Sequence, residues 1–416
     1  MVIRTALLAL TVAGSVALAP IAPTALTLPA PTGPFPVGTV DLHLVDRSRA
    51  DPWTADPAYR ELMVSLWYPA ADVDRFPLAP HMTPGAAAHF GGADGAATQL
   101  YDIPAGAVDF ATTRTGGHLG APIARQRQPF PVVLYSPGAG DPRTWETTVV
   151  QDLASRGYVV VTIDHTYDAS EVEFPDGRVA GGVLPKLFSE ISEPAGFQAL
   201  AGKIFDVRVD DTRFVLDELA ALNGGANPDA EHRPLPTGVA GALDLRRTGM
   251  FGVSAGGMTA LQTMDEDPRI TAAIDMDGAV ESPLLTDPIA LWPVARDGLD
   301  GPFLLMGDEA TDHRQTPSWS MLWDNSGGWH GDVRLTGATS EDAYKDAVPL
   351  LPQIARQLGL PDDFVTGALG TIDPDRAVPA EEAVVGSFFD RWLLGGHDDH
   401  LLDGPSPRCP DLTFVS

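Results

Sequence analysis

From residue 130 onward, short apolar runs alternate with segments in which apolar residues recur every three or four positions. Residues 131–135 form an apolar run that ends in Ser136-Pro137-Gly138-Ala139-Gly140, residues 144–155 have helical spacing, and Gly157 punctuates their end. Residues 158–163 are almost continuously β-branched, the pattern of a strand covered on both faces. Phe174-Pro175-Asp176-Gly177 is a turn sequence. The strongest helical segment is 204–222, where Ile204, Val207, Val215, Leu216 and Leu219 recur among charges. Further strands are expected at 248–253, 270–276, 303–306 and 333–336, and helices at 258–264 and 380–394. Strands alternating with helices predict an α/β fold, with a mainly parallel central sheet and helices on both faces.

The first part of the chain has another rhythm. Residues 39–46 and 62–68 mix β-branched or aromatic residues with polar ones, as paired strands do. Residues 69–128 are rich in Ala, Gly and His with little periodicity. That segment and residues 166–203 are expected to be loop insertions that pack over the sheet and shape a pocket, so that 26–416 form a single domain. Residues 28–38 are rich in Pro and Gly and resemble a linker. Before them Arg4 precedes an apolar run at 5–19 that is soon broken by Pro20 and Pro23. The run is too short for a membrane span and reads as a secretory signal peptide ending near residue 25, which predicts a secreted protein; a retained N-terminal anchor is the alternative.

Composition narrows the partners. Hydrophobic residues make up 44% and charged residues 20% of 416 positions, enough apolar material for a large core. The net charge of -29 repels polyanions and argues against nucleic acid as a partner. Cys409 is the single cysteine, so no intrachain disulfide can form and no cysteine cluster exists to bind zinc. No phosphate-binding loop or dinucleotide fingerprint is present, and no cofactor or metal is expected. Nothing in the chain implies a protein partner.

Gly252-Val253-Ser254-Ala255-Gly256 carries the clearest chemistry. A nucleophilic serine needs a tight turn between a strand and a helix, so that its hydroxyl projects from the sheet, and the flanking glycines supply room. An apolar strand precedes this sequence and a helical segment follows it. A developing oxyanion needs fixed backbone donors. The Ala255 N–H follows the serine directly, and Gly138 and Gly140 would let the Ala139 N–H face the same pocket. For the acid, Asp277 follows the strand at 270–276, on the rim where ligands meet open α/β sheets. Asp275 alternates to the other face, and Asp308 is a rival in chain order. The third member should be a histidine past the last strand, yet residues 335–342 contain none.

Several stretches together resemble the platelet-activating factor acetylhydrolase family, particularly its exported actinobacterial lipase-like members. They are residues 28–34 leading to Val37-Gly38-Thr39, Tyr135 to Gly140, Asp152 to Tyr158, Asp164-His165, the turn at Ser254, Met276-Asp277-Gly278 and Phe388-Phe389-Asp390-Arg391. The resemblance implies an α/β-hydrolase fold and a serine ester hydrolase that works through an acyl-enzyme on small or lipid esters, with at most transient contact with a lipid surface. It implies Ser254 as nucleophile, Asp277 as acid, and Ala139 and Ala255 as oxyanion donors. The family histidine follows a Gly-Ala pair, matched by Gly337-Ala338, and its position falls on Ser340. A serine hydroxyl is neither basic nor acidic enough to replace imidazole near neutral pH. Three readings follow: an esterase with a substitute base, of which His313 is the candidate; a catalytically impaired relative that binds lipid or ester ligands; or an enzyme that recently lost its histidine. His165 is expected to order its loop, His330 to lie at the wrong end of the sheet, and His397 and His400 to belong to a solvated tail.

Overall fold

The computed structural model describes residues 25–279, 284–361, 363–395 and 399–416. Residues 1–24 of the expected export signal, and His397, lie outside them.

The apolar runs become thirteen strands among the described residues: β1 (Val37–Asp46), β2 (Arg60–Pro69), β3 (Leu78–Pro80), β4 (Arg114–Leu119), β5 (Phe130–Ser136), β6 (Val159–Asp164), β7 (Glu171–Glu173), β8 (Val179–Gly181), β9 (Leu243–Val253), β10 (Ile270–Met276), β11 (Phe303–Gly307), β12 (His330–Leu335) and β13 (Leu412–Phe414). Eleven of them form one sheet in the order β13-β12-β11-β10-β9-β5-β6-β2-β1-β4-β3. The six strands from β12 to β6 are mutually parallel. β2 runs antiparallel to both β6 and β1, as two paired strands of mixed character would. The segment 69–128 contributes β3 and β4, which extend the sheet at its edge, and the expected turn at Phe174 to Gly177 joins the small hairpin β7-β8.

Alternation sends side chains of the parallel strands to two cores. Val133 and Tyr135 of β5, with Phe251 and Val253 of β9, face the helices Thr147–Arg156, Ala347–Leu358 and Pro374–Leu393. Val132 and Leu134, with Met250, face the helices Pro194–Asn223 and Ala255–Glu266. Burial on both faces explains why these strands read as continuous apolar runs. The helix Ala347–Leu358 was not apparent in the sequence because Pro349 and Pro352 interrupt it, with Pro352 inside the helix.

Register aligns the ends of the central strands on one rim. Gly252 sits between Ser136 and Asp275, Val253 pairs with Met276, and Met276 pairs with Met306. The chain segments that leave β5, β9, β10 and β11 therefore emerge side by side, which is where chemistry collects in open parallel sheets.

Candidate active site

Ser254 stands between β9 and the helix Ala255–Glu266 with φ 53° and ψ −122°, a conformation that costs a non-glycine residue about 1–3 kcal/mol. Hydrogen bonds hold it there: its N–H donates to Met276 O at 2.7 Å, and Met258 N–H donates to its carbonyl at 3.1 Å. The flanking glycines are required by close approach. A Cβ at Gly252 would lie 2.4 Å from Ser136 O, and one at Gly256 would lie 1.9 Å from the same oxygen. Both glycines thus let the turn press against the end of β5. Ser254 remains partly accessible although Val253 and Ala255 on either side are buried.

The loop after β5 is fixed from behind by Arg208. This buried guanidinium forms two 2.7 Å bonds to Asp168 and donates to Pro137 O at 2.6 Å and Gly138 O at 3.0 Å. Gly140 adopts φ 88° and its N–H donates to Asp168 at 3.1 Å. Ala139 is left exposed, and with Gly140 it lines an open groove of about 680 Å³. Both insertions wall this groove: Ala96 and Leu100 come from one, Leu184 and Phe188 from the other, with His89 and Lys186 as polar members.

Asp277 leaves β10 with φ 54° and its N–H donates to Met306 O at 2.8 Å. Its carboxylate accepts from the Asp308 N–H at 3.3 Å. Burial, then the neighbouring Asp308 carboxylate, push the Asp277 carboxyl up to about 7, with Glu341 adding to the repulsion. No histidine is among its partners among the described residues, and an imidazolium would have worked in the opposite direction. Residues two apart on a strand share a face, so it is the turn of the backbone at Asp277, with φ 54°, and not alternation that separates its carboxylate from that of Asp275. Asp275 is fully buried and its Oδ1 accepts from Gly278 N–H at 3.0 Å. A Cβ on Gly257 would fall 1.9 Å from that oxygen, so helix and strand meet through a glycine here too.

The residue that reaches Ser254 from the last loop is Glu341. Its carboxylate stands near enough to Ser254 for the serine hydroxyl to favour its ionised form. Ser340, one position earlier, donates instead to Ala368 O at 2.6 Å and accepts from the Asp342 N–H at 3.3 Å. The reason is local: Ser340 is the N-cap of the 3-10 turn Glu341–Tyr344, with an extended backbone that directs its side chain back over the turn. Glu341 is in turn held by Lys345 at 2.8 Å. Burial alone would raise the Glu341 carboxyl, but the Lys345 ammonium and the Ser254 hydroxyl outweigh it and hold it below the usual range.

The histidines fall elsewhere. His313 Nδ1 lies 2.7 Å from Asp332, and its ring stacks on Trp323 with centroids 3.8 Å apart. Among the described residues no hydrogen bond joins this imidazole to Ser254. His165 is fully buried between Ser136 and Asp211 and so orders the loop, as its Asp-His sequence suggested. His330 opens β12, at the opposite end of the strand from the rim. His400 bonds to Asp403 at 2.8 Å in the C-terminal segment. The sequence did contain a signal for the missed pair: Glu341 and Lys345 are four residues apart, the spacing of side chains that meet over one helical turn.

A serine on a strained strand-to-helix turn, at the rim of a mainly parallel sheet and beside a glycine loop, defines an α/β-hydrolase of esterase type. A family model described as platelet-activating factor acetylhydrolase, isoform II, matches residues 21–175. A probable 1-alkyl-2-acetylglycerophosphocholine esterase from Arthroderma benhamiae is 29% identical over 298 residues, 69% of this chain and 66% of that protein. A ferulic acid esterase structure from Streptomyces cinnamoneus is 33% identical, with 94% of this chain and 100% of that chain covered at a TM-score of 0.71. The chain has the α/β-hydrolase fold and is similar to esterases: to the platelet-activating factor acetylhydrolase family over its first part and to a ferulic acid esterase over nearly its whole length. The family match ends before Ser254; the esterase structure carries the likeness over the rest of the molecule.

Proposed function

We propose that this protein is an exported serine ester hydrolase in which Glu341, rather than histidine, takes the proton of Ser254. The observation that carries the reading is the placement of the Glu341 carboxylate, held by Lys345 at 2.8 Å, beside Ser254 on its strained turn. In acylation the Ser254 oxygen attacks the ester carbonyl carbon while its proton passes to Glu341. The carbonyl oxygen becomes an oxyanion facing the N–H groups of Ala139 and Ala255. Collapse breaks the bond to the alcohol, which leaves with the proton from Glu341. Water then attacks the acyl-enzyme, gives its proton to Glu341, and the acid departs as Ser254 recovers that proton. Asp277 keeps the place of the triad acid without an imidazole to orient.

The groove supports a small ester as substrate. Leu100, Leu184 and Phe188 offer apolar surface beside Ala139, and the opening is wide enough for an acyl or alcohol group to lie across it. The esterases similar to this chain are named for an acetylated glycerophosphocholine and for ferulic acid, both esters or acids of compact acyl groups. We take a short acyl or aryl ester, including a short-chain phospholipid, as the substrate class.

One observation favours a second reading. A carboxylate held below its usual range is a weak base toward a serine hydroxyl, so acylation through Glu341 is slow. In the limit the same site is an impaired hydrolase that binds an ester in its groove. Hydrolysis of p-nitrophenyl acetate by the parent, Ser254→Ala and Glu341→Gln decides between them. Turnover that vanishes in both variants supports the esterase. A folded parent with no turnover above Ser254→Ala, but with saturable binding of the ester, supports the impaired relative.

A further inference from the structure

Lys345 belongs to none of the roles described so far, yet it lies between two of them. Its side chain is 4% exposed, and its ammonium lies 2.8 Å from Glu341, 2.9 Å from Asp141 and 3.1 Å from Asp342. Asp141 is part of the loop after β5: its N–H donates to Gly138 O at 3.1 Å, and its Oδ2 lies 2.5 Å from where a Gly138 Cβ would stand. A Cβ there would also be 3.7 Å from the Ser254 Cβ, so this end of the network borders the nucleophile. Asp342 accepts at 2.9 Å from Tyr101, whose hydroxyl accepts at 3.0 Å from the buried Trp145 indole. The neighbouring Asp346 holds the start of the helix Thr147–Arg156 through Thr147 and Thr148 N–H at 3.0 and 3.1 Å.

We infer that Lys345 is a positioning residue that clamps the base, Glu341, to the oxyanion loop through Asp141. The inference rests on the reading of Glu341 as the base. Three carboxylates surround one buried cation, and an ammonium in that position does two things. It favours the ionised form of Glu341, which can then accept a proton. It also fixes the distance between the base and the loop that carries Ala139, so that proton transfer and oxyanion stabilisation occur in one geometry. Burial by itself would push the Lys345 ammonium down, but Asp141, Glu341 and Asp342 reverse this and hold it well above its usual range. Lys345 is therefore a fixed charge and not itself a base.

The test compares Lys345→Met, Lys345→Arg and Asp141→Asn with the parent. Two readouts are used: the pH dependence of Ser254 phosphorylation by diisopropyl fluorophosphate, and the titration of the Glu341 carboxyl by carbon NMR, assigned with Glu341→Gln. In Lys345→Met the Glu341 titration and the acid limb of the reaction are expected to move up by about 1–3 pH units, and in Lys345→Arg to return toward the parent. Asp141→Asn keeps the pair with Glu341 but loosens the loop, so kcat is expected to fall about tenfold or more while the acid limb does not rise. An unmoved Glu341 titration in folded Lys345→Met overturns the inference, as does undiminished kcat in Asp141→Asn. If Lys345→Met does not fold, the Asp141→Asn result decides. A parent with no Ser254-dependent reaction would overturn the proposed function, while the NMR titration would still judge what Lys345 does to Glu341.

Discussion

Two serines sit at the ends of adjacent strands, and only one has the surroundings of a nucleophile. Ser136, at the end of β5, lies 3.0 Å from His165 Nε2, and His165 Nδ1 lies 3.0 Å from Asp211. By residue type this is a serine, a histidine and a carboxylate in series. All three are 0% exposed, however, and Arg60 adds bonds of 2.6 and 3.0 Å to Asp211. Burial and the Arg208 charge lower the His165 imidazole, while burial of Asp211 is outweighed by Arg60 and His165, which hold its carboxyl far below the usual range. This is a closed structural network beneath the loop. Ser254 has the opposite endowment: a strained turn, partial access and a neighbouring glycine loop whose Ala139 is exposed, but a carboxylate where imidazole is expected. Accessibility and backbone geometry, more than the list of side chains, separate a reactive serine from a structural one.

The comparison can be broken most sharply by removing each serine. Ser254→Ala is expected to reduce ester hydrolysis on the order of a thousandfold or more, to the background given by the oxyanion donors. Ser136→Ala should instead appear as lost stability, about 1–3 kcal/mol in urea unfolding, because His165 loses its partner. Within the same network Asp211→Ala should cost more than Ser136→Ala. It leaves Arg60 and His165 without their buried partner and is expected to cost about 3–5 kcal/mol, read from the urea midpoint. If it costs little, the network is not what holds the loop.

Histidine placed opposite Ser254 sharpens the contrast from the other side. Glu341→His is expected to raise turnover by about a hundredfold, the usual contribution of a well-placed general base. Ser340→His should gain less, since the side chain at 340 faces Ala368. The reverse order would place the lost imidazole at position 340 after all.

A separate effect is in pH dependence. The Asp277 carboxyl has an ordinary value of 3.8 and rises to about 7 in the folded protein, so the folded state binds its proton more tightly. Its contribution to stability is therefore full below about pH 4, declines as pH rises through 7, and then levels off. Unfolding measured from pH 4 to 8 should show Asp277→Asn flattening that decline. An identical slope in parent and variant would mean that Asp277 is not held against Asp308 and Glu341.

Much of this molecule was legible one segment at a time. The strands from β5 to β12 appear as apolar runs because both faces of the sheet are covered, and the Ser254 turn appears because only glycines tolerate its contacts with Ser136 O. Asp277 was legible as the residue that leaves β10 on the rim, whereas alternation could not separate it from Asp275, two positions earlier. The groove's side chains were not, because residues 69–128 and 166–203 have no period from which to read a direction. The helix at 347–358 was hidden by its own prolines, whose cost is offset by burial of Val348, Leu351 and Ile354.

The base loop shows where local reading stops. Whether position 340 or 341 faces Ser254 depends on how the turn Glu341–Tyr344 is capped, and on the packing that brings Ala368 against it. The partners of Lys345 come from the loop after β5 and from its own turn, segments remote in sequence. By itself the sequence determined the order of strands and helices, the tight turn at the serine and the absence of a histidine from residues 335–342, because these depend on near neighbours and on the side-chain period. Only the tertiary structure decided that Glu341 meets Ser254, that Lys345 pins it, and that the Ser136-His165-Asp211 series is sealed, because a charge or hydroxyl acquires its chemistry from burial and from the partners that distant segments bring to it.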